Sequence, residues 1–414
     1  MKKTKDVLIM CQFFYPEYVS SATLPYDTAE ALTAAGFSVG AICGYPKEYT
    51  KEKNIPKKET VNGIEIKRLK YIQMKRSGFL GRIINYFSFV AAVFFNLFEA
   101  RKYKTVIAYS NPPVLPFLAV IAKKLYGCKL IFVSYDVYPE IAIKSGAASE
   151  GGIITKALRF SNKHVFKNAD TVVAVSEDMK DYLENNRSIN KDCKVLNIPN
   201  WYEDKGEGLR ADAKSTALFS HINDDDFVVS YLGNLGICQD EKTILQAIRR
   251  LKDNPKIKFV FAGHGNKMAA LKNTVKEEGL ENVSCFDFLT GKDFEDALAV
   301  SNCYIVSLVD GLYGLCAPSK AYSYMMQGRA IACIMHPESE IGSDVIKNRA
   351  GGCFNCGEGD KLADFFTYLQ ENPKISREMG KNCRQIFLEK YEKKKCLNQY
   401  KKLISDILNT QNDK

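Results

Sequence analysis

The tripeptide Pro-Ser-Lys at residues 318–320 is the part of this sequence best suited to hold an anion. A buried-type strand, Cys303–Leu308, leads into a glycine-punctuated loop, and the tripeptide then opens a short predicted helix that Gly328 closes. The first N–H groups of a helix lack intrahelical partners and carry partial positive charge, and Lys320 adds a full charge. A diphosphate would be stabilised there, so the stretch predicts nucleotide-sugar binding. The alternative is that Ser319 simply caps a helix.

Two glycine-rich turns come directly after predicted strands in the second half of the chain. Phe227–Leu232 is followed by residues 233–236 (Gly-Asn-Leu-Gly), and Ile257–Ala262 by residues 263–265 (Gly-His-Gly). Because glycine has no side chain, its backbone can approach a ligand closely. His264 faces either that ligand or solvent, and the sequence leaves both alternatives open.

Acidic residues follow a predicted strand in the first half of the chain. Asp136 and Glu140 follow the carboxyl end of the predicted strand Lys129–Ser134. In an open parallel sheet, the ligand crevice lies beyond the carboxyl ends of the strands, so both carboxylates are candidate site residues. The alternative is a solvated turn with a carboxylate at a helix start.

Strands and helices alternate through both halves of the chain, which at 414 residues is too long for one ordinary core. The alternation predicts an α/β protein with two doubly wound, Rossmann-like domains. We place the domains at residues 1–202 and 226–383, with a charged linker at 203–225. The tail, 384–414, is predicted to carry one long, lysine-rich amphipathic helix from about Arg384 to Leu408.

The basic charge of the chain is concentrated near its N-terminus. Residues 1–110 hold 17 Lys and Arg against 9 Asp and Glu, so they carry +8 of the formal net charge of +10. This excess favours an anionic membrane surface or a phosphorylated substrate over nucleic acid, since no arginine-rich arm interleaved with aromatic residues is present. The 13 scattered cysteines are typical of reduced thiols in a cytoplasmic protein.

The apolar stretch at residues 79–98 is about as long as a bilayer span, but Arg82, Asn85 and Asn96 interrupt it. Three interpretations stay open: a spanning helix, a buried core helix, or a partly exposed helix that rests on a membrane surface. A spanning helix would cut the predicted sheet in two. Basic residues on both sides favour the surface helix, namely Lys67, Arg68, Lys70, Lys75, Arg76, Arg101, Lys102 and Lys104.

Seven short motifs, in order, resemble the GT-B fold retaining glycosyltransferases of family 4, also called group 1. Each motif is weak alone, but seven in order are a strong signal, and the likeness covers nearly the whole chain. They are residues 14–17 (Phe-Tyr-Pro-Glu), 136–140 (Asp-Val-Tyr-Pro-Glu), 198–200 (Ile-Pro-Asn), 232–236 (Leu-Gly-Asn-Leu-Gly), 261–265 (Phe-Ala-Gly-His-Gly), 318–320 (Pro-Ser-Lys) and 339–341 (Ser-Glu-Ile).

The resemblance implies two domains that face a cleft, a nucleotide-sugar donor in the second domain and an acceptor in the first, and neither a metal nor a cofactor. Asp136 and Lys320 are the implied catalytic residues. The implied acceptor-binding residues are Tyr15, Glu17, Asp136 and Glu140. The implied donor-binding residues are Gly233, Asn234, Gly236, Gln239, Gly263, His264, Asp310, Ser319, Lys320 and Glu340. The relatives that the sequence resembles build lipid-linked surface polysaccharides, which implies a polyprenyl-linked glycan acceptor at the cytoplasmic face of the cell membrane.

The chain departs from the family pattern at the donor site. The paired glutamates of the family fall at Leu315 and Ser323, and Gln239-Asp240 stands where Lys-Gly is usual. Asp310, Glu338 or Glu340 are candidates for the lost sugar contact. Two other functions therefore stay open: a catalytically silent binding subunit, and a non-hydrolysing sugar-nucleotide epimerase, which would need a pair of acid and base carboxylates.

Overall fold

The structure is a computed structural model that describes residues 4–47, 49–74, 79–206 and 217–412. The described residues form two compact units. The first unit contains the residues up to Asn200, Gly314–Ala317 and those from Lys394 onward, and the second contains those of Trp201–Tyr313 and Pro318–Lys393. Each unit is built on one mainly parallel sheet with helices between the strands, which confirms the predicted α/β class.

The first unit holds an eight-stranded sheet in the order β3-β4-β2-β1-β5-β6-β7-β8, parallel except for the pairing of β3 with β4. Its central strands are apolar along most of their length, as expected where helices cover both faces of a parallel sheet. The strands are β1 (Lys5–Met10), β2 (Val39–Gly44), β3 (Lys58–Val61), β4 (Ile64–Leu69), β5 (Tyr103–Tyr109), β6 (Lys129–Ser134), β7 (Thr171–Ala174) and β8 (Lys194–Asn197). The helices are α1 (Ser20–Ala34), α2 (Phe79–Phe94), α3 (Leu115–Tyr126), α4 (Glu140–Lys144), α5 (Ile153–Asn168) and α6 (Glu177–Asn186).

Helix α2, followed by a 3₁₀ helix at Leu97–Lys102, accounts for the apolar stretch. Phe89 and Val93 on α2 are fully buried, whereas Phe87 and Phe94 are 54% and 52% exposed. The helix is thus partly exposed rather than wholly inside the core. Across the ranges that the structure describes, no helix combines the length and apolarity needed to cross a membrane.

The second unit holds a six-stranded parallel sheet in the order β11-β10-β9-β12-β13-β14. Large apolar side chains of β9 and β10 pack with helices α7, α8 and α12 to form its core. The strands are β9 (Phe227–Leu232), β10 (Ile257–Ala262), β11 (Val283–Phe286), β12 (Cys303–Ser307), β13 (Ala330–Ile334) and β14 (Gly351–Phe354). The helices are α7 (Glu241–Arg250), α8 (Asn266–Glu277), α9 (Lys292–Val300), α10 (Lys320–Met326), α11 (Glu340–Lys347), α12 (Gly359–Glu371) and α13 (Pro373–Ile386). Helix α14 (Lys393–Asn412) follows.

The structure corrects the prediction of one continuous tail helix. Helix α13 ends at Ile386, a π-helical turn occupies Phe387–Tyr391, and Glu392 has extended backbone angles before α14 begins. Tertiary contacts explain the break. The Tyr391 hydroxyl donates to Asp344 at 2.7 Å, and the backbone of Tyr202 bonds to the chain on either side of Glu392. The predicted linker lies partly outside the described residues, as do Lys75 and Arg76 of the predicted basic flank.

Candidate functional site

The predicted donor residues of the second unit follow the carboxyl ends of four neighbouring parallel strands. The turns after β9 and β10 carry the glycines, and the loops after β12 and β13 lead to α10 and α11. In this sheet, β10 and β11 follow β9 on one side, whereas β12, β13 and β14 lie on its other side. The strand order therefore changes direction between β9 and β12, and ligands of open α/β sheets bind at such a switch point. The residues at this edge are Gly233, Asn234, Gly236, Gln239, Gly263, His264, Asp310, Ser319, Lys320 and Glu340.

Lys320 lies directly at the switch point, beside the end of β9. Its ammonium nitrogen is 5.2 Å from the centre of the Tyr231 ring, and a Cβ atom at Gly233 would lie 2.8 Å from the Lys320 Cε. Burial alone lowers the pKa of the Lys320 ammonium to about 8. Among the described residues, no carboxylate lies within 4.0 Å of it. A partly buried cation with no carboxylate beside it among the described residues is suited to bind an anionic ligand.

Ser319 does not cap α10, so the capping alternative is wrong. A capping serine needs extended backbone angles, whereas Ser319 has φ −57° and ψ −20°, which are helical. Its exposed side chain accepts no hydrogen bond from the first turn, and the amide of Ala321 instead donates to the carbonyl of Pro318 at 3.0 Å.

The two glycine turns pack backbone against backbone. Gly263 has φ +147°, and a Cβ atom there would lie 2.0 Å from the carbonyl oxygen of Gly233. The amide of Leu235 donates to the carbonyl of His264 at 2.8 Å. Contact between the two turns is thus a sufficient reason for glycine at 263, apart from any approach of a ligand.

Replacing Gly263 by alanine is expected to lower the free energy of unfolding by about 3 to 5 kcal/mol, because the methyl group must displace backbone. Gly279→Ala is the matched control, since Gly279 also has a positive φ, +61°, but nothing lies within 4 Å of its Cβ position. The control should cost only about 1 kcal/mol. Urea unfolding of both variants measures the difference, and equal losses would contradict turn packing as the cause.

Two other predicted donor residues, Gln239 and Glu340, and the neighbouring Asp240 have structural partners within the second unit. Gln239 accepts a hydrogen bond from the amide of Gly236 at 2.8 Å and so closes its own turn. Asp240 caps α7 through the amides of its first turn. A carboxylate oxygen of Glu340 lies 3.0 Å from the Tyr391 hydroxyl oxygen, at the side of its bond to Asp344. These contacts hold the edge of the sheet in shape.

The remaining donor candidates are on the surface of this edge. Asn234 and Asp310 are exposed. His264 is exposed as well, with its ring centre 5.3 Å from that of Phe288 in an edge-to-face arrangement.

Neither position of the missing glutamate pair offers a polar group to a ligand. Leu315 is buried in the first unit, where its carbonyl accepts from the amide of Val137 at 2.8 Å. The Ser323 hydroxyl donates to the carbonyl of Lys320 at 2.9 Å, within its own helix.

In the first unit, the predicted acceptor residues follow β1 and β6, which flank β5 in the sheet. The Ser110 hydroxyl accepts from the amides of Tyr135 and Asp136 at 3.0 and 3.4 Å and fixes the turn after β6. Burial raises the pKa of Asp136 to about 6. A cavity of about 10 Å³ adjoins Asp136, which is room for roughly one water molecule.

The other acceptor candidates are held by neighbours that the sequence did not reveal. Tyr15 stacks on Tyr26 with ring centres 5.0 Å apart, and its carbonyl accepts from buried Arg68 at 2.8 Å. Glu140 forms an ion pair with Arg187. Arg68 stood in the predicted membrane flank, and no local signal marks it as the anchor of the loop after β1.

Glu17 is buried at the other end of the same loop. One of its carboxylate oxygens lies 3.4 Å from the amide of Phe14, which donates to it. Glu17 therefore closes the loop that carries Tyr15, and its carboxylate is not simply solvated.

Two family models match this chain. The model described as "Glycosyl transferase 4-like domain" matches residues 22–201, and "Glycosyl transferases group 1" matches residues 216–386. The chain belongs to the group 1 glycosyltransferases of family 4. This confirms the resemblance drawn from the seven motifs, which lie within or next to the two matched ranges.

Two bacterial members of this family illustrate the similarity. The chain is 27% identical over 267 residues to the "Probable glycosyltransferase WbjE" of Pseudomonas aeruginosa, covering 64% of this chain and 65% of that protein. It is 25% identical over 278 residues to the "Putative colanic acid biosynthesis glycosyl transferase WcaI" of Escherichia coli, covering 65% and 67%. The aligned region thus spans just under two thirds of the length of WbjE.

Solved structures share the fold of this family 4 chain. Sucrose-phosphate synthase of Thermosynechococcus elongatus superimposes with a TM-score of 0.75 at 16% identity, over 98% of this chain and 100% of that one. HepE of Anabaena, solved in complex with UDP, gives 0.69 at 14% identity, over 97% and 100%. The chain has the GT-B fold.

Proposed function

We propose that the protein is a retaining glycosyltransferase that moves a sugar from a UDP-linked donor, N-acetylated sugars included, to a polyprenyl-linked glycan in the synthesis of a cell-surface polysaccharide. The observation that carries this proposal is Lys320, a largely buried cation without a carboxylate partner among the described residues, at the switch point of the second sheet. Family membership and the UDP complex of HepE support a nucleotide as the anion.

Lys320 stabilises the leaving group in this reaction. When the bond between the sugar and the diphosphate breaks, negative charge grows on the diphosphate oxygen, and a positioned cation lowers the energy of that state. The amides of Ser319 and Lys320 at the start of α10 add donors for the same phosphates. The new bond forms from the acceptor oxygen on the same face of the sugar, so the anomeric configuration is retained.

Asp136 is the proposed acceptor group in the first unit. With its pKa raised to about 6, it is largely ionised at neutral pH but more basic than an ordinary aspartate. Such a carboxylate orients the acceptor hydroxyl and takes up its proton as the new glycosidic bond forms. Tyr15, Glu17 and Glu140 lie on the loops at the same edge of the sheet and complete the acceptor surface.

A screen of donor hydrolysis across nucleotide sugars, followed by transfer to polyprenyl-linked glycans, tests this function. We expect release of UDP from one donor, faster when acceptor is present, and a product with retained configuration. The competing function is a catalytically silent binding subunit, because neither Leu315 nor Ser323 supplies the carboxylate that the family has at its position. Binding of UDP without turnover of any donor would favour that subunit, and no binding of any nucleotide would refute the donor site.

The first unit also presents an exposed aromatic patch, which consists of Phe87, Phe94, Phe95 and Phe98. We propose that it rests on the inner face of the cell membrane, where a lipid-linked acceptor is found. Lys67 and Lys102 of the predicted basic flank share one carboxylate, that of Glu99, so the three side chains together carry a net charge of +1. Arg101 lies 5.9 Å from the Phe98 ring centre and supplies attraction to anionic lipid.

The double variant Phe94→Ser/Phe95→Ser is expected to reduce binding to anionic liposomes by about tenfold, because each exposed ring loses its burial in lipid. Tyr368→Ser on α12 is the control, since Tyr368 is a similarly exposed aromatic residue of the second unit. Co-sedimentation measures both variants, and binding should weaken with added salt. Equal binding by the double variant and wild type would exclude the patch.

A further inference from the structure

The strands at the switch point of the second sheet separate before they end. Strand β9 pairs with β10 over its whole length, from Phe227 to Leu232. On its other side it pairs with β12 only at Val229 and Ser230. The backbone groups of Leu232 that face β12 therefore have no strand partner, although Leu232 is buried. Such groups need other hydrogen-bond partners.

The hydroxyl of Tyr324 supplies both partners. The Leu232 amide donates to the Tyr324 oxygen at 2.8 Å, and the same hydroxyl donates to the Leu232 carbonyl at 3.0 Å. The Tyr324 side chain is fully buried, and its ring stacks on that of Tyr304 with centres 4.3 Å apart and planes 10° apart. The phenol thus occupies the place of a strand residue in the gap between β9 and β12.

Tyr324 and Lys320 lie four residues apart on α10 and so point to the same side of the helix. Lys320 contacts Tyr231 and the Gly233 turn, and Tyr324 binds Leu232 between them. Three consecutive residues at the end of β9 are therefore in contact with this one short helix. The bonds of Tyr324 set the position of α10 along β9, and with it the position of the ammonium group.

We propose that Tyr324 is a positioning residue for the donor site: its hydroxyl locks α10 to the end of β9 and so holds Lys320 where the diphosphate binds. This inference rests on the proposed function. Without the hydroxyl, the buried backbone groups of Leu232 lose their partners, and the end of β9 moves relative to α10. The consequence is a loss of nucleotide affinity in addition to any loss of stability.

Tyr324→Phe tests the proposal, because it removes one oxygen atom and keeps the stacked ring. Tyr304→Phe is the matched control: Tyr304 lies in the same ring stack, and its buried hydroxyl donates to the carbonyl of Leu298 at 2.6 Å, away from Leu232. Both variants should unfold at lower temperature. Only Tyr324→Phe should weaken UDP binding, by about tenfold in isothermal titration calorimetry, and speed hydrogen exchange in a peptide containing Leu232.

The outcomes separate this inference from the proposed function. If wild-type protein binds no nucleoside diphosphate, the donor site itself is wrong. If wild type binds UDP and Tyr324→Phe binds it equally well while exchange at Leu232 is faster, the positioning role is overturned and the donor site stands. Equal losses of affinity in both tyrosine variants would also overturn it, because a general loss of stability would then explain the effect.

Discussion

Replacing Lys320 by methionine is expected to stabilise the unliganded protein and to abolish binding of nucleoside diphosphates. The pKa of Lys320 is lowered to about 8 because burial disfavours its charged form. The unfolded chain, with an ordinary lysine pKa near 10.4, therefore holds this proton more tightly than the folded protein does. At pH 7 the folded state carries the cost of a buried cation, and methionine removes it while it keeps most of the side-chain volume.

The expected gain in the free energy of unfolding at pH 7 is about 3 kcal/mol, since the folded pKa is lower by more than two units and one unit corresponds to about 1.4 kcal/mol. The pH dependence follows from the same linkage. Wild-type stability should rise between about pH 8 and pH 10.5, where the unfolded chain binds more protons, and the gain from the substitution should shrink over that range. Urea unfolding at pH 7 and pH 9.5 measures both effects.

The affinity for nucleoside diphosphates should fall at least a hundredfold, because methionine removes the full positive charge that attracts the phosphates. Lys272→Met is the control: Lys272 is paired with Asp287 at the surface, so its removal should change neither UDP affinity nor stability by much. A Lys320→Met protein that still gained thermal stability from UDP would contradict the phosphate role. A variant less stable than wild type would instead contradict the conclusion that the charge on Lys320 destabilises the unliganded folded protein.

Much of the fold follows from local pattern. Apolar runs of β-branched residues predicted the central strands, because a strand covered on both faces has no polar side to interrupt it. The edge strand β3 was missed because its sequence, Lys-Glu-Thr-Val, is polar. A signal for it was present in Asn62-Gly63, whose positive φ values of 49° and 79° form the two-residue turn that joins β3 to β4.

The site was predicted less completely than the fold because its chemistry depends on partners distant in the sequence. The rule of strand ends places the predicted residues at one edge of each sheet, but it did not reveal that Arg187 contacts Glu140 and that Tyr391 contacts Glu340, from 47 and 51 residues away. The same holds for the tail, where no Pro or Gly marks the break before Lys393. No spacing rule reveals such contacts, nor that none of the carboxylates described by the structure lies beside Lys320.

Asp136→Asn is expected to lower the transfer rate by a factor of about 10² to 10³ and to leave UDP affinity unchanged. The amide keeps the shape of the side chain but cannot take a proton from the acceptor hydroxyl. Since the pKa of Asp136 is raised to about 6, wild-type activity should fall as the pH drops through 6, when the carboxylate is protonated. The residual activity of the variant should show no such decline.

Stability provides an independent check on the same residue. Burial raises the pKa of Asp136, so the folded protein binds this proton more tightly than the unfolded chain, and the penalty of the ionised group is present above about pH 6 and lost below about pH 4. Asp136→Asn should therefore unfold at higher urea concentration than wild type at pH 7, and at a similar concentration at pH 4. Asp287→Asn, which alters an exposed carboxylate paired with Lys272, should change neither activity nor this pH profile.

Lys320 and Asp136 thus share a property that most charged residues of this chain lack. Each is a partly buried charge whose pKa is shifted by desolvation, and no opposite charge among the described residues offsets that shift. Asp170 differs from both, because burial raises its pKa but Lys123 and its other partners lower it by more. A rate loss in Asp136→Asn together with lower stability would assign Asp136 a structural role. If Asp136 is catalytic, the variant should lose transfer rate and gain stability.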